Sequence, residues 1–485
     1  MELCQLTIKQ AQEGLAKKKF SSLELTQSCL NQIKKLDSKI KAFITVCEEK
    51  AIKQAKKADQ LLAQEKGILK EKPLLGIPFS MKDVFLTKGL KTTVASRVLE
   101  NFIPQYDATV VKRLKNAGGI ILGKTNLDSF CHGSSTETSD FFTTRNPWNL
   151  ERLPGGSSGG SAASIVADMT IGSVGTETAG SIRQPAAWCG CVGLKPTYGR
   201  VSRSGVIAMA SSLDSPGPIA KTVEDAAIVL QVLAGKDELD ATSSPTQVSH
   251  YFKDLKKSMK GIRIGVPKEY FLKETQRGIN RNVKMALKVL ERLRGKIREI
   301  SLLDPHFAIA VYTILQRSEV SSNLARYDGI RYGNSRWAFN EENKKRIMLG
   351  AYALSAGYYE AYYLQAQKIR TLIVKGFEKV FKEIDVIVVP TSPSIALPVG
   401  SSQKDPMFGE VQDILVEPSS IAGLPGLNVL CGFVNGLPVG MQIIGPQFSE
   451  ELILRVGYAY EQVTEWHKRK PEILRQIDND KLGDK

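Results

Sequence analysis

Residues 154–161 read PGGSSGGS, four glycines and three serines in eight positions, and their reading decides whether the chain is two bodies on a tether or one folded unit. Composition alone predicts a flexible linker. The flanks predict otherwise. Upstream, short apolar runs broken by glycine begin at Leu74 (LLGIPFSMKDVF), and a helical stretch, ATVVKRLKNAGG, feeds IILGKTN. Downstream, SAASIVADM feeds TIGSVGTETAG. Helix alternating with β-rich run is the pattern of an α/β sheet, and it continues on both sides of the glycine-serine stretch.

The same texture returns near the end of the chain as VIVVPTSP, LNVLCGF and LPVGMQIIG, closed by a helix at ELILRVGYAYEQ. One α/β sheet is therefore expected from residues 70–220 and 380–465. Residues 1–70 have helical period (Leu6 to Phe20, Ser22 to Leu36 behind a Ser/Glu capping box, Glu49 to Gln64) and predict a helical lead-in packed on the core. Residues 71–470 then form the main domain, with a mostly helical insertion at about 222–375 whose one strand candidate is IRIGVP. Residues 471–485 read as a frayed tail.

Bulk properties exclude several classes. Hydrophobic residues make up 42% of the 485 and charged residues 24%, values of a folded chain rather than a disordered or fibrous one. The start of the chain lacks a signal-peptide pattern, and no apolar run approaches a membrane span; a cytoplasmic protein without membrane contact is expected. Seven scattered cysteines without a CxxC pair predict reduced thiols and no metal site. The net charge of +16 suits an RNA or an acidic partner, although the lysines spread over helical stretches as solvated faces do.

The four histidines (His132, His250, His306, His467) lie outside any GxSxG elbow, so a histidine base is not expected. The chain offers instead two serine-glycine loops before helices, residues 155–161 and 175–190 (GTETAGSIRQPAAWCG). Glycine-rich turns at helix N-termini converge main-chain N–H groups on one point, a nest for a phosphate or a transient oxyanion. Neither loop fits GxxxxGK[ST] or GxGxxG. An oxyanion site needs a nucleophile, for which Ser181 is placed, and a base. A lysine serves if burial lowers its pKa. Lys82, in GIPFSMKD, follows an apolar strand; its other readings are a snorkelling side chain or an ion pair with Asp83.

GIPFSMKD, PGGSSGGSAAS and GTETAGSIRQPAAWCG together resemble the successive blocks of the amidase signature family, with Lys82, Ser157 and Ser181 separated by 75 and 24 residues. The resemblance implies an amidase-signature fold, an α/β architecture whose central mixed β-sheet is flanked by helices on both faces. It also implies a Ser-cisSer-Lys triad: Ser181 as nucleophile, Ser157 as the serine after a cis peptide, Lys82 as base. Main-chain N–H groups of the turn through Thr178, Ala179 and Gly180 would form the oxyanion hole. Two departures stand out: the family usually reads GTDTGGS where this chain has Glu177 and Ala179, and His132 stands where methionine is common.

SEVSSNLARYDGIRYG (318–333), KKRIMLGAYALSAGYYEAYYLQAQKIR (344–370) and DILVEPSSIAGLPGLNVLCGF (413–433) are similar to the glutaminase subunits of tRNA-dependent amidotransferases, a branch of the same family. That likeness implies glutamine held by Tyr312, Arg346 and Asp413, with the arginine on the α-carboxylate and the aspartate on the α-ammonium. The plainer reading of Arg346 and Asp413 is a pair of surface ion-pair residues. It also implies a heterotrimer with amidotransferase subunits B and C, with mischarged tRNA, ATP and Mg2+ bound mainly at the B component and no cofactor in this chain. A stand-alone amidase acting on a small or aromatic amide is the alternative.

Overall fold

The computed structural model describes residues 2–474 apart from 66, 254 and 332; the expected tail lies outside the described residues from 475 onward. Its centre is one sheet of eleven strands among the described residues: β1 Phe43–Val46, β2 Pro78–Lys82, β3 Ile120–Thr125, β4 Gly172–Glu177, β5 Val192–Lys195, β6 Ser215–Ala220, β7 Arg263–Pro267, β8 Lys296–Ile300, β9 Val386–Pro390, β10 Gly426–Val434 and β11 Leu437–Ile444. The strand order is β1-β3-β2-β4-β6-β5-β10-β11-β9-β7-β8. β2 pairs in parallel with β3 and β4, and β7 in parallel with β8 and β9; the other pairings are antiparallel, so the sheet is mixed.

Side chains alternate across a strand, and here the alternation feeds a separate core on each face. Val386 and Val388 of β9, with Met441 and Ile443 of β11, join the large cluster that includes the helices Val223–Leu233, Arg277–Arg292 and Glu450–Gln462. Ile387, Val389 and Ile444 point the other way, into a cluster with the helices His306–Leu324 and Gln365–Val380. Further along that second side, the helices Gly159–Val166 and Arg183–Cys189 pack together on Ile219 of β6. The serine-glycine stretch thus leads into a buried helix.

The N-terminal helix Ser22–Ile40 starts at the expected capping box, with the Glu24 N–H donating to Ser21 Oγ at 3.1 Å and the Ser21 N–H donating to Glu24 Oε2 at 2.7 Å. It buries Leu25, Cys29, Ile33 and Leu36 in the same core as Phe79 and Met81 of β2. The sheet is wider than the sequence alone predicts. β1 comes from the stretch read as helical lead-in; within the stretch read as a helical insertion, β7 is the strand expected at IRIGVP, and β8 is a further strand beside it. β1 and β8 are the two outermost strands. β8 reads KIREI and is exposed or half-buried throughout, as an edge strand can be; β1 is apolar (FITV) but only four residues long.

Candidate active site

β2 brings the first residue to the site by alternation. Phe79 and Met81 enter the large core, while Ser80 and Lys82 face the Gly159–Val166 helix. Ser80 Oγ lies 3.1 Å from Ser164 Oγ. Lys82, the last residue of β2, is fully buried, with Nζ 2.7 Å from Ser157 Oγ, 2.9 Å from Thr176 Oγ1 and 3.2 Å from the Thr176 carbonyl. Burial holds its pKa below the usual lysine range, opposed by the nearby Cys131, Asp128 and Asp214. Lys82 does not pair with Asp83, which is held by Lys124 at 2.8 Å, and it does not snorkel.

The loop that contains Ser157 is tied down on every side. The Gly156 N–H donates to Gln184 Oε1 at 2.9 Å, the Ser158 N–H to the Ser181 carbonyl at 3.1 Å, and Ser158 Oγ to the Thr176 carbonyl at 3.1 Å. The Gly156–Ser157 peptide is cis. Gly156 admits no side chain: a Cβ there would collide with Asp128 Oδ2 and stand 2.5 Å from the Ser135 nitrogen. These contacts set Ser157 Oγ against Lys82 and bring the backbone of Ser181 alongside. Ser157 is fully buried, whereas Ser181 keeps 5% exposure, so of the two serines Ser181 is the one a substrate can reach.

β4 ends at Glu177 and turns through residues 178–181 into the Arg183–Cys189 helix. Glu177 fixes this turn. Its Oε2 accepts the N–H groups of Ile182 (3.0 Å) and Arg183 (2.9 Å), and its Oε1 pairs with Arg183 Nη2 at 2.6 Å, both side chains fully buried. The Ala179 carbonyl accepts from Ser420 Oγ at 2.5 Å and from Arg183 Nη2 at 3.2 Å. In a trans peptide the N–H points opposite to the C=O, so the pinned carbonyl turns the Gly180 N–H the other way. Among the described residues the N–H groups of Thr178, Ala179, Gly180 and Ser181 have no acceptor. Such a row of donors suits a developing oxyanion.

Tyr312, Arg346 and Asp413 come from three separate helices, His306–Leu324, Glu341–Ala353 and Phe408–Asp413, and all three are buried. Arg346 and Asp413 both act electrostatically on the Tyr312 hydroxyl. The surface ion-pair reading is thereby corrected: Arg346 does hold Glu342 (Nε to Oε1, 2.6 Å), but it is 4% exposed and its Nη1 also donates to Gln316 Oε1 at 2.9 Å. Burial works against its charge, yet Glu342, Glu410 and Tyr312 raise its pKa above the usual arginine value. Asp413 lies directly over the turn, since a Cβ on Gly180 would collide with Asp413 Oδ1 and stand 2.8 Å from its Cγ. Burial pushes the Asp413 carboxyl well above the usual range; the Ser134 hydroxyl, donating to Oδ2 at 2.9 Å, opposes this.

Several residues of this chamber escape a reading by local pattern. Gln316 stands one helical turn from Tyr312. Arg317 pairs with Glu410 at 2.9 Å. Glu417 is fully buried; its only sequence signal is a single acid in the apolar run ILVEP. His132 is fully buried with Nδ1 2.6 Å from Asn343 Oδ1, and Asn343 Nδ2 donates to Ser129 Oγ at 2.9 Å. The imidazole therefore fastens the Arg346 helix to the loop before Gly133. Burial, then Arg346, holds its pKa well below the usual histidine value and keeps it neutral.

Comparison with known proteins places this geometry. The sequence pattern of the Amidase family matches residues 24–454. The A component of the glutamyl-tRNA(Gln) amidotransferase of Roseiflexus castenholzii is 50% identical over 97% of this chain and 98% of its own length; the protein of the same name from a Geobacillus species is 50% identical over 95% and 97%. Among solved structures, the A component of the glutamyl-tRNA(Gln) amidotransferase of Thermotoga maritima superposes with a TM-score of 0.81 at 42% identity, covering 96% of each chain. The peptide amidase of Stenotrophomonas maltophilia superposes with a TM-score of 0.83 at 31% identity, over 96% of this chain and 98% of the other.

Proposed function

The chain belongs to the amidase signature family, and from that premise we propose that it is the glutamine-hydrolysing subunit of a tRNA-dependent amidotransferase. The observation that carries the catalytic reading is the contact of Lys82 Nζ with Ser157 Oγ, 2.7 Å, in a loop bonded to Ser181. The neutral Lys82 amine takes a proton from Ser157, and Ser157 takes one from Ser181. Ser181 Oγ then bonds to the side-chain amide carbon of glutamine, and the oxyanion is received by the N–H groups of residues 178–181. Each such donor contributes about 3 kcal/mol to the transition state. The C–N bond breaks as Ser157 returns a proton to the leaving nitrogen. Ammonia departs, and water cleaves the glutamyl ester to glutamate.

The chamber supports glutamine over a neutral amide. Arg346 offers a cation for the α-carboxylate, and the α-ammonium, as an opposite charge beside the buried Asp413 carboxyl, favours its ionised form and pairs with it; a peptide or aromatic amide has no use for both charges. The ammonia passes to partner subunits, B and C in a heterotrimer, and ATP with Mg2+ and the mischarged tRNA bind mainly at the B component. The product is Gln-tRNA(Gln) from Glu-tRNA(Gln); Asp-tRNA(Asn) is the alternative acceptor. Among the described residues no helix is long and apolar enough to cross a membrane.

Ser181→Ala in the assembled complex tests the reading. Glutamine-driven amidation is expected to fall at least ~1,000-fold, in the range of lost nucleophilic catalysis, while amidation driven by free ammonia persists. Survival of the glutamine-driven rate would remove Ser181 as nucleophile.

A further inference from the structure

Asp413 and Glu417 are four residues apart, and the chain between them keeps helical dihedrals at Ile414 (φ −47°, ψ −38°) and Val416 (φ −101°, ψ −27°). The Val416 N–H donates to the Asp413 carbonyl at 2.9 Å. At this spacing on a helical turn two side chains are neighbours on one face. That face looks onto the glutamine chamber. Glu410, one turn earlier, reaches Arg317. Burial, then Asp413 and Glu410, push the Glu417 carboxyl well above its ordinary range, with Arg317 and Arg346 opposing, and Glu417 in turn acts on the Tyr312 hydroxyl.

A glutamate in such a place is normally satisfied. Buried polar atoms in folded proteins almost always have a partner, and an unpaired buried carboxyl is costly. Yet neither oxygen of Glu417 has a hydrogen-bond partner among the described residues, and neither does Asp413 Oδ1. The two arginines nearby are held by other acids, Arg317 by Glu410 and Arg346 by Glu342. Two neighbouring carboxyls thus present Asp413 Oδ1, Glu417 Oε1 and Glu417 Oε2 as acceptors without a donor, in the chamber beside the nucleophile turn. A primary ammonium brings three N–H donors and a positive charge.

We propose that Glu417 is a specificity-determining residue of this site: together with Asp413 it receives the α-ammonium of the substrate, and so restricts the site to amides of free α-amino acids. The proposal rests on the glutaminase reading above and adds to it a residue that the sequence blocks do not bring forward. Glu417 does no chemistry on the amide; it anchors the other end of the substrate.

The test compares glutamine with 4-carbamoylbutanoate, the same carboxylate and amide without the α-amino group, in the assembled complex. For Glu417→Gln the KM for glutamine is expected to rise about tenfold or more, the loss of a charge-assisted contact, with kcat within about twofold and the KM for 4-carbamoylbutanoate unchanged or lower. Glu417→Asp is expected to fall between Glu417→Gln and the wild type. A glutamine KM within about twofold of wild type in Glu417→Gln overturns the proposal, as does an equal rise for both substrates, which a merely structural role would give. Ammonia-driven amidation measured on the same preparation reports folding and assembly. If Glu417→Gln fails that check, Glu417→Leu must show the glutamine-selective KM rise, or the proposal falls. A wild-type complex that hydrolyses no glutamine overturns the glutaminase reading and this inference with it; a wild type that does so, beside a silent Glu417→Gln, overturns the inference alone.

Discussion

At the scale of single residues, Lys82 shows how a fold makes a base out of an amine that water would keep as ammonium near neutrality. Here β2 ends with Lys82 under the Gly159–Val166 helix, fully buried, and desolvation disfavours the ammonium form. The sign of the pH dependence follows. Only the neutral amine accepts the Ser157 proton, so kcat/KM for glutamine is expected to rise as pH rises through the lowered pKa of Lys82 and then level off. Removing the amine with Lys82→Ala should cost about 100- to 10,000-fold in kcat/KM, the usual worth of a general base, and flatten this limb of the profile. Lys82→Arg, which stays protonated throughout, should be as inactive as the alanine. A rising limb that persists in Lys82→Ala would assign the titration to another group, with Asp214, held near the turn by Thr178 at 2.7 Å, the first to examine.

At the scale of elements, the turn between β4 and the Arg183–Cys189 helix is built around one buried ion pair. Arg183 does more than answer Glu177: its Nη1 donates to Ser419 Oγ (2.9 Å) and Gln442 Oε1 (2.6 Å), and its Nη2 to the Val416 carbonyl (3.1 Å). The pair therefore joins the nucleophile turn to β11 and to the segment that carries Asp413 and Glu417. Breaking a buried pair leaves the other charge unanswered, so Glu177→Ala is expected to destabilise the protein by about 3–5 kcal/mol, read as a lowered urea midpoint. Glu177→Asp, one methylene shorter, should lose less because the charge remains; an alanine variant as stable as wild type would show that the pair is not what fixes the turn. The contrast with Lys82 shows what the sequence reveals. Lys82, Ser157 and Ser181 each sit in a block with its own local signal, and the structure places the first two in contact. Apart from Glu177, the partners of Arg183 just named lie 233 to 259 residues away in the chain, where no local pattern reaches. For the same reason Glu417 reads as an oddity in an apolar run until the chamber is assembled around it.

At the scale of the molecule, the strands with long apolar runs, such as β3, β9, β10 and β11, were legible, whereas the short β1 and β5, the glycine- and proline-bearing β6 and the water-facing β8 (KIREI) leave no such run. One sheet spans the chain from Phe43 to Ile444, and its cores collect the small apolar side chains from every segment, cysteines included. All seven are free and buried, from Cys4 to Cys431. Burial raises the pKa of each, most strongly at Cys29 and Cys189. Only the thiolate attacks a disulfide reagent, so the fold withholds these thiols twice, by access and by protonation. Titration of the native chain with an aromatic disulfide reagent at about pH 8, near the ordinary thiol pKa, should accordingly give at most one prompt equivalent, with Cys47, at 8% exposure the least covered, reacting first. In denaturant all seven should react. Because Cys131 lies against Thr176 and Lys82, loss of glutaminase activity should track the slow phase of labelling rather than the first equivalent. Several prompt equivalents in the native state would mean that the two cores open far more readily than their burial indicates.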